Sequence, residues 1–138
     1  MKKINTVLIV DDNKSTLQLN KWLLEDFFPS DSIYAIPSAQ EAVHFIQNLV
    51  NGQGQNPGFP LLIFCDVYMP GMSGWDLVSF IQSANDLDEQ IFIVLLSAYA
   101  QAENAGDNCM GKNIVYMNKP LTDENVELIK SSFDLVFE

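Results

Sequence analysis

Side chains that could do phosphate or metal chemistry stand directly after apolar segments of this sequence. Asp11 and Asp12 follow "TVLIV", Asp66 follows "LLIFC", Ser97 closes "IFIVLLS" and Lys119 follows "NIVYMN". Carboxylates that share one pocket repel each other unless positive charge compensates them. Mg²⁺ prefers oxygen ligands and often acts beside phosphate, and a lysine binds phosphate as a point charge. These residue types indicate phosphoryl transfer onto a carboxylate, if the fold brings them together.

Five short segments rich in branched or aromatic residues predict the strands that would position these side chains. Three of the five are nearly continuous runs of apolar residues, as is typical of strands buried on both faces of a parallel sheet. The segments are 6–10, 32–36, 61–65, 91–97 and 113–117.

Amphipathic patterns between the strands predict helices. Ser38, with Glu41 three residues later, is typical of a capping box, and Thr122 is a predicted N-cap. Trp75 and Phe80 are expected to serve helix packing. The helical patterns cover 15–28, 38–50, 73–85 and 122–137, and a short fifth helix is predicted over 99–111, where the apolar stripe is poor. Alternating strands and helices predict an α/β fold with a doubly wound five-stranded parallel sheet, in which function gathers at the carboxyl ends of the strands.

Length and composition favour a single domain over residues 1–138, with no output domain after it. The chain has 138 residues and a net charge of −11, from 7 basic and 18 acidic side chains, which argues against a nucleic-acid partner. No apolar run approaches the roughly 18 residues of a membrane span, and the start of the chain does not fit a signal peptide. Cys65 and Cys109 lack the spacing of a metal knuckle. We therefore expect a cytoplasmic protein without membrane insertion.

Four motifs, in order, resemble the receiver domain of two-component response regulators. They are "LIVDD", "CDVYMPGMSG", "LLSAYA" and "NKP", and each falls at the end of a predicted strand. The resemblance covers nearly the whole chain and implies a flavodoxin-like receiver architecture with five helices. The strand order 2-1-3-4-5 also comes from the resemblance, since the chemotaxis regulator of this family is a known example of it.

The resemblance implies a role for each residue of the acidic site. Asp66 would be the nucleophile that accepts the phosphoryl group. Asp12 would bind Mg²⁺ directly and Asp11 through water, with Asp66 and the backbone carbonyl of Tyr68 as further ligands. Lys119 would pair with the phosphoryl oxygens.

Further roles follow from the same resemblance. Ser97 would hydrogen-bond the phosphoryl group, and Tyr116 matches the aromatic switch of the family. The peptide bond before Pro120 would be cis. Tyr68 and Tyr99 stand where the family often has smaller residues, beside the path of the hydrolytic water. We hypothesise that the two rings shield the phosphoryl group and slow its loss, although a phenol could also hold a water there.

The implied function is that of a stand-alone response regulator, not an enzyme beyond its self-catalysed phosphoryl transfer and autodephosphorylation. The phosphodonor would be a sensor histidine kinase or a histidine phosphotransfer protein. The output would be an unknown downstream protein or a phosphorelay, with the chain a monomer or a phosphorylation-dependent dimer.

Alternatives remain open from the residues themselves. The chain could be an interaction module that is never phosphorylated. An aspartate-nucleophile phosphatase is less favoured, because its type resembles a D-x-D arrangement after the first strand, and a flavin-binding protein would need a phosphate-cradling loop there. Taken singly, Asp66 could be a turn residue, the Asp11–Asp12 pair a helix cap, Ser97 an ordinary strand-end residue and Tyr116 a fixed ring.

Overall fold

The structure is a computed structural model that describes residues 2–52, 58–84, 87–98 and 113–136. In these residues the strands are β1 (Lys2–Lys3), β2 (Thr6–Val10), β3 (Ile33–Ile36), β4 (Leu61–Asp66), β5 (Ile91–Ser97), β6 (Ile114–Asn118) and β7 (Leu135–Val136). The α-helices of the same residues are α1 (Lys14–Leu24), α2 (Ala39–Val50), α3 (Gly74–Ser83) and α4 (Asp123–Ser132). The helix predicted over 99–111, together with Tyr99 and Cys109, lies outside the described part of the chain.

The main sheet is parallel throughout and has the order β3-β2-β4-β5-β6. Counted along these five strands, the order is 2-1-3-4-5, which confirms the predicted fold class. Each strand lies within one residue of its predicted segment. Strands β2, β4 and β5 are buried along their whole length, as their continuous apolar sequences predicted.

Two layers of helices cover the sheet, one on each face. Alternate residues of a strand point to opposite faces, so Ile9 packs into one core and Leu8 into the other. The core around Ile9 includes apolar residues of α1 and α4, and the core around Leu8 includes those of α2 and α3. The three central strands are thereby shielded from water, and polar groups come together at the strand ends.

Side-chain caps fix where the helices begin. Ser38 and Thr122 accept hydrogen bonds from the backbone N–H groups of Glu41 and Asn125, as their predicted N-cap roles require. The Glu41 carboxylate accepts from the Ser38 hydroxyl at 3.0 Å. The reciprocal capping box lies instead at Ser73 and Asp76, where each side chain accepts from the other residue's backbone N–H.

Helix α1 is shorter than its amphipathic pattern suggested. It ends at Leu24, and the next turn is held by a hydrogen bond from the Phe27 N–H to the Leu24 carbonyl at 2.9 Å. Pro29 prevents a helix from continuing past Phe28, because a proline lacks the N–H that a helix needs and disfavours the helical conformation of the residue before it. Phe28 still reaches the core from outside the helix.

A small second sheet was not predicted. Strand β1 pairs in parallel with β7, with Lys2 opposite Leu135 and Lys3 opposite Val136. Two-residue strands have no readable pattern of their own, so only the folded chain reveals their pairing. None of the helices in the described segments combines the length and the apolar character needed to cross a bilayer.

Candidate functional site

The candidate site lies at the carboxyl edge of the main sheet. Asp11 follows β2, Asp66 is the last residue of β4, Ser97 is the last residue of β5 and Lys119 follows β6. The strand register aligns these ends, because Val10 is paired with Cys65, and Asp66 with Leu96. Neighbouring parallel strands thus bring together residues that are up to 108 positions apart in the chain.

Three carboxylates meet at this edge. Asp11, Asp12 and Asp66 each offer an oxygen atom, and these atoms lie within 4.8 Å of one another. Asp11 and Asp66 are buried, whereas Asp12 is exposed. The backbone N–H of Asn13 donates to Asp11 Oδ1 at 2.9 Å, which holds that carboxylate, while the Asn13 side chain caps α1. The start of α1 therefore positions the first acid of the site.

Lys119 connects two of the acids. Its Nζ lies 3.1 Å from Asp66 Oδ1 and 3.2 Å from Asp11 Oδ2. Its backbone N–H donates to the Ser97 carbonyl at 2.9 Å, so the lysine is anchored to the neighbouring strand. One ammonium against three carboxylates leaves a net negative charge, which a cation could balance.

The surroundings of Asp66 raise the pKa of its carboxyl above the ordinary value. Burial raises the pKa of the Asp66 carboxyl, and the nearby charge of Asp11 adds to this effect. Hydrogen bonds from Lys119 and from the Tyr68 backbone act in the opposite direction and lower it. Burial lowers the pKa of Lys119, but its interactions with Asp66 and Asp11 outweigh this and raise the pKa overall. The lysine therefore stays charged.

Cys65 precedes Asp66 but takes no part in the charge balance. It is fully buried, and its thiol donates to the Asp66 backbone carbonyl at 3.3 Å. Burial raises the pKa of the Cys65 thiol, and the charges of Asp66 and Asp11 raise it further. A thiol that remains protonated is neither a nucleophile nor a metal ligand.

The loop after Asp66 depends on two glycines. Gly71 has a φ of 77°, a left-handed conformation that residues with a Cβ rarely adopt. At Gly74 a Cβ would lie 2.8 Å from the Asp66 backbone carbonyl oxygen, closer than a carbon atom can approach. The Gly74 N–H also donates to the Val67 carbonyl at 2.9 Å. Helix α3 is therefore packed directly against the end of β4.

The remaining predicted residues surround this centre. Ser97 is buried at the same sheet edge, and Tyr68 is 60 % exposed beside Asp66. The Lys119–Pro120 peptide bond is cis, as the resemblance implied, and the Phe59–Pro60 bond is also cis. Tyr116 lies on β6 and its ring contacts Trp75 of α3, with 5.4 Å between the ring centroids. Sequence reasoning gave Trp75 only a packing role, because no local pattern links α3 to β6.

The donor set at the strand ends fits Mg²⁺. All three acids offer oxygen, which a hard divalent cation requires, and the buried thiol nearby is not among the ligands that converge. Because Asp12 is exposed, a cation could enter the site from solvent and keep part of its water shell. The Mg²⁺ requirement inferred from the sequence is thus compatible with the side chains present.

Comparisons with known proteins identify the family. The family model described as the response regulator receiver domain matches residues 7–130. The chain therefore belongs to the receiver domain family of two-component response regulators, as its four motifs suggested. A protein of Leptolyngbya boryana, described as "Uncharacterized 14.6 kDa protein in sodA1 3'region", is 27 % identical over 124 residues, which cover 90 % of this chain and 84 % of that protein.

Solved structures of receivers share the fold. A two-component response regulator from Cytophaga hutchinsonii is 22 % identical, with a TM-score of 0.73 over 96 % of this chain and 98 % of that chain. A response regulator receiver domain protein (CheY-like) from Methanospirillum hungatei JF-1 is 28 % identical, with a TM-score of 0.60 over 97 % of this chain and 94 % of that chain. Receivers are signalling proteins, which agrees with the class expected from the sequence.

Proposed function

We propose that this chain accepts a phosphoryl group on Asp66 from a phosphohistidine, in a reaction that requires Mg²⁺. One observation carries the proposal. Asp66 ends a buried strand within reach of two further carboxylates, and the Lys119 ammonium lies 3.1 Å from its Oδ1. This arrangement suits a nucleophilic oxygen with a fixed positive charge beside it.

The transfer is a single displacement. A carboxylate oxygen of Asp66 attacks phosphorus, and the new O–P bond forms as the P–N bond to the donor imidazole breaks. The imidazole nitrogen keeps the electron pair of that bond. Lys119 is placed to stabilise the negative charge of the phosphoryl oxygens, because it already bridges Asp66 and Asp11. The donor is a sensor histidine kinase or a histidine phosphotransfer protein, as the family implies.

The residues that would hold Mg²⁺ are the three acids and the Tyr68 backbone carbonyl. Asp12 and Asp66 would bind Mg²⁺ directly, and Asp11 through water. When bound, Mg²⁺ supplies positive charge that offsets the repulsion between the carboxylates and the incoming phosphoryl group. Asp11 would also hold Lys119 in position. Its Oδ2 lies 3.2 Å from the Lys119 Nζ, and this contact does not involve the nucleophile Asp66.

The phosphorylated state would alter the surface near β5 and β6. Ser97 lies at the sheet edge one residue beyond the position paired with Asp66, where its hydroxyl would donate to a phosphoryl oxygen. Tyr116 lies on the neighbouring strand β6, where it is paired with Leu95, two residues before Ser97 on β5. A shift of Ser97 would change the space next to the Tyr116 ring and favour binding of one downstream protein over another.

The cytoplasmic location and the oligomeric state remain predictions.

Tyr68 would set the lifetime of the phosphoryl group. Its side chain is 60 % exposed next to Asp66, so the ring can cover the site from the solvent side. The shielding hypothesis for Tyr68 therefore stands on the exposure of this ring. Its companion Tyr99 lies outside the described residues.

Intact mass measurement tests the proposal. The protein is incubated with acetyl phosphate in the presence of Mg²⁺ or of EDTA, and Asp66→Asn is treated in parallel. We expect one added phosphoryl group in the parent with Mg²⁺, and none with EDTA or in the variant. Asp26→Asn, at an exposed acid beyond α1, is the matched control and should label like the parent. Labelling of Asp66→Asn would place the nucleophile elsewhere, and no labelling of the parent would favour the interaction module.

A further inference from the structure

Trp75 and Tyr116 form a contact that joins two parts of the candidate site. The ring centroids lie 5.4 Å apart and the ring planes are inclined by 39°, within the range of favourable aromatic pairs. Trp75 belongs to α3, which follows the Asp66 loop, and Tyr116 belongs to β6, which leads to Lys119. Both rings pack against the core between the sheet and helices α2 and α3.

Trp75 is tied closely to Asp66. Its neighbour Gly74 has no room for a Cβ against the Asp66 carbonyl and donates its N–H to Val67 at 2.9 Å. The reciprocal bonds between Ser73 and Asp76 fix the same turn of α3. In a packed interior such contacts transmit displacement, because there is no free volume to absorb it. A movement of the Asp66 backbone would therefore be passed to the turn of α3 that carries Trp75.

The Tyr116 hydroxyl makes the present arrangement of this contact energetically costly. It is buried and has no hydrogen-bond partner among the described residues. A buried hydroxyl without a partner destabilises the arrangement that contains it, relative to one in which the group reaches water. The aromatic contact with Trp75 acts against this tendency and keeps the ring where it is.

We propose that Trp75 is a positioning residue that holds the Tyr116 ring over α3 and transmits the state of Asp66 to it. The route runs from the end of β4 through the first turn of α3 to β6, in addition to the proposed action of Ser97. This inference rests on the proposed function, because it takes phosphorylation of Asp66 as the input.

The fluorescence of Trp75 tests the contact. In Trp22→Phe, which removes an exposed ring of α1 on the opposite face of the sheet, Trp75 is the only tryptophan left. Acetyl phosphate with Mg²⁺ should change its emission. Adding Tyr116→Phe should reduce this change at least threefold. The phenylalanine ring has no buried hydroxyl that gains by reaching water, so it should stay in contact with Trp75 in both states. Tyr34→Phe is the control and should leave the change intact, since Tyr34 contacts Phe45 instead.

Intact mass of the same samples separates the possible failures. A phosphorylated Trp22→Phe protein with unchanged Trp75 emission overturns the inference alone. The same is true of a full emission change in the Tyr116→Phe variant. Absence of phosphorylation in the Trp22→Phe protein and in the parent overturns the proposed function and this inference with it.

A second measurement observes Tyr116 directly. The protein is labelled with 3-fluorotyrosine, and the Tyr116 ¹⁹F resonance is assigned by its loss in Tyr116→Phe. Its shift on phosphorylation should fall at least threefold in Trp75→Leu and return in Trp75→Phe, with phosphorylation rates within twofold of the parent. Phe80→Leu, on the same helix and core, should keep the full shift. A full shift in Trp75→Leu, or no recovery in Trp75→Phe, contradicts the inference. If Trp75→Leu fails to fold, Trp75→Phe and the Trp75 emission decide the question.

Discussion

The two ends of β2 bury polar groups in opposite ways. At its amino end the buried Thr6 hydroxyl donates to the Gly58 carbonyl at 2.8 Å, and the nearby Asn5 amide donates to the Phe59 carbonyl at 2.7 Å. At its carboxyl end Asp11 is buried beside a second buried acid, Asp66, with Lys119 between them. One end is neutral and paired, whereas the other carries excess negative charge.

This difference separates stability from function along a single strand. Buried neutral groups that are hydrogen-bonded stabilise the fold modestly and need no ligand to compensate them. Crowded carboxylates destabilise the fold, in line with the raised pKa of the Asp66 carboxyl. Their benefit is functional, because they can bind a cation and accept a phosphoryl group. Substitutions at the carboxyl end should therefore change phosphorylation, and those at the amino end should change only stability.

Lys119→Met should give the largest effect at the carboxyl end. It removes the ammonium that contacts Asp66 and Asp11, so phosphorylation by acetyl phosphate should slow by roughly 100-fold, the usual effect of losing one charge-stabilising group. The rate is followed by intact mass. Lys21→Met, at a half-buried position of α1, is the control and should react like the parent. A Lys119→Met rate within threefold of the parent would break the comparison.

Thr6→Val should give the clearest effect at the amino end. The substitution keeps the shape but removes the donor to Gly58, and the free energy of unfolding should fall by about 1–2 kcal/mol. Urea denaturation measures this loss, while the phosphorylation rate should not change. Thr16→Val, at a half-buried position in the first turn of α1, should alter the free energy of unfolding by no more than roughly 0.5 kcal/mol. Equal losses for both variants would mean that the amino end is not held as described.

Asp66→Asn should raise stability when Mg²⁺ is absent. The pKa of Asp66 is raised by folding, so its charged form opposes folding, and a neutral amide should stabilise the protein near neutral pH. The gain should disappear as the pH falls below about 4, because Asp66 then becomes protonated in folded and unfolded chains alike. Thermal unfolding with EDTA at several pH values measures it. A variant less stable than the parent at neutral pH would show that Asp66 helps to hold the fold.

Tyr68→Asn should give the smallest effect. If the exposed ring shields the site, the phosphoryl group should be lost about threefold faster, a modest change in barrier. The decay is followed by intact mass after the phosphodonor is removed. Trp22→Asn, at an equally exposed aromatic residue of α1, should decay like the parent. Loss of the phosphoryl group from Tyr68→Asn at the parent rate would contradict the shielding hypothesis.

Much of the fold and site could be predicted from local sequence. The apolar segments located the five strands of the main sheet, because burial on both faces leaves a continuous hydrophobic signal. Asp66 and Lys119 could be brought together from their positions at strand ends, since parallel strands share one carboxyl edge. Their contact of 3.1 Å follows from that topology.

Other features depended on contacts that local sequence does not encode. Helix α1 ends at Leu24 although the apolar pattern continues to Phe28, and residues 25–27 form turns that the pattern does not predict. The pairing of Lys2 with Leu135 joins segments too short to show a pattern. Trp75 reads as a helix-packing residue, and only the folded chain shows that its ring faces Tyr116.

Chemical trapping of the phosphoryl group tests the central claim most directly. The protein is phosphorylated with acetyl phosphate and Mg²⁺, and borohydride then reduces the acyl phosphate to an alcohol, which converts an aspartyl phosphate to homoserine. Peptide mass mapping locates the converted residue. The account predicts conversion at Asp66 alone. Conversion at Asp11 or Asp12, or a phosphorylated protein with no converted aspartate, would contradict it.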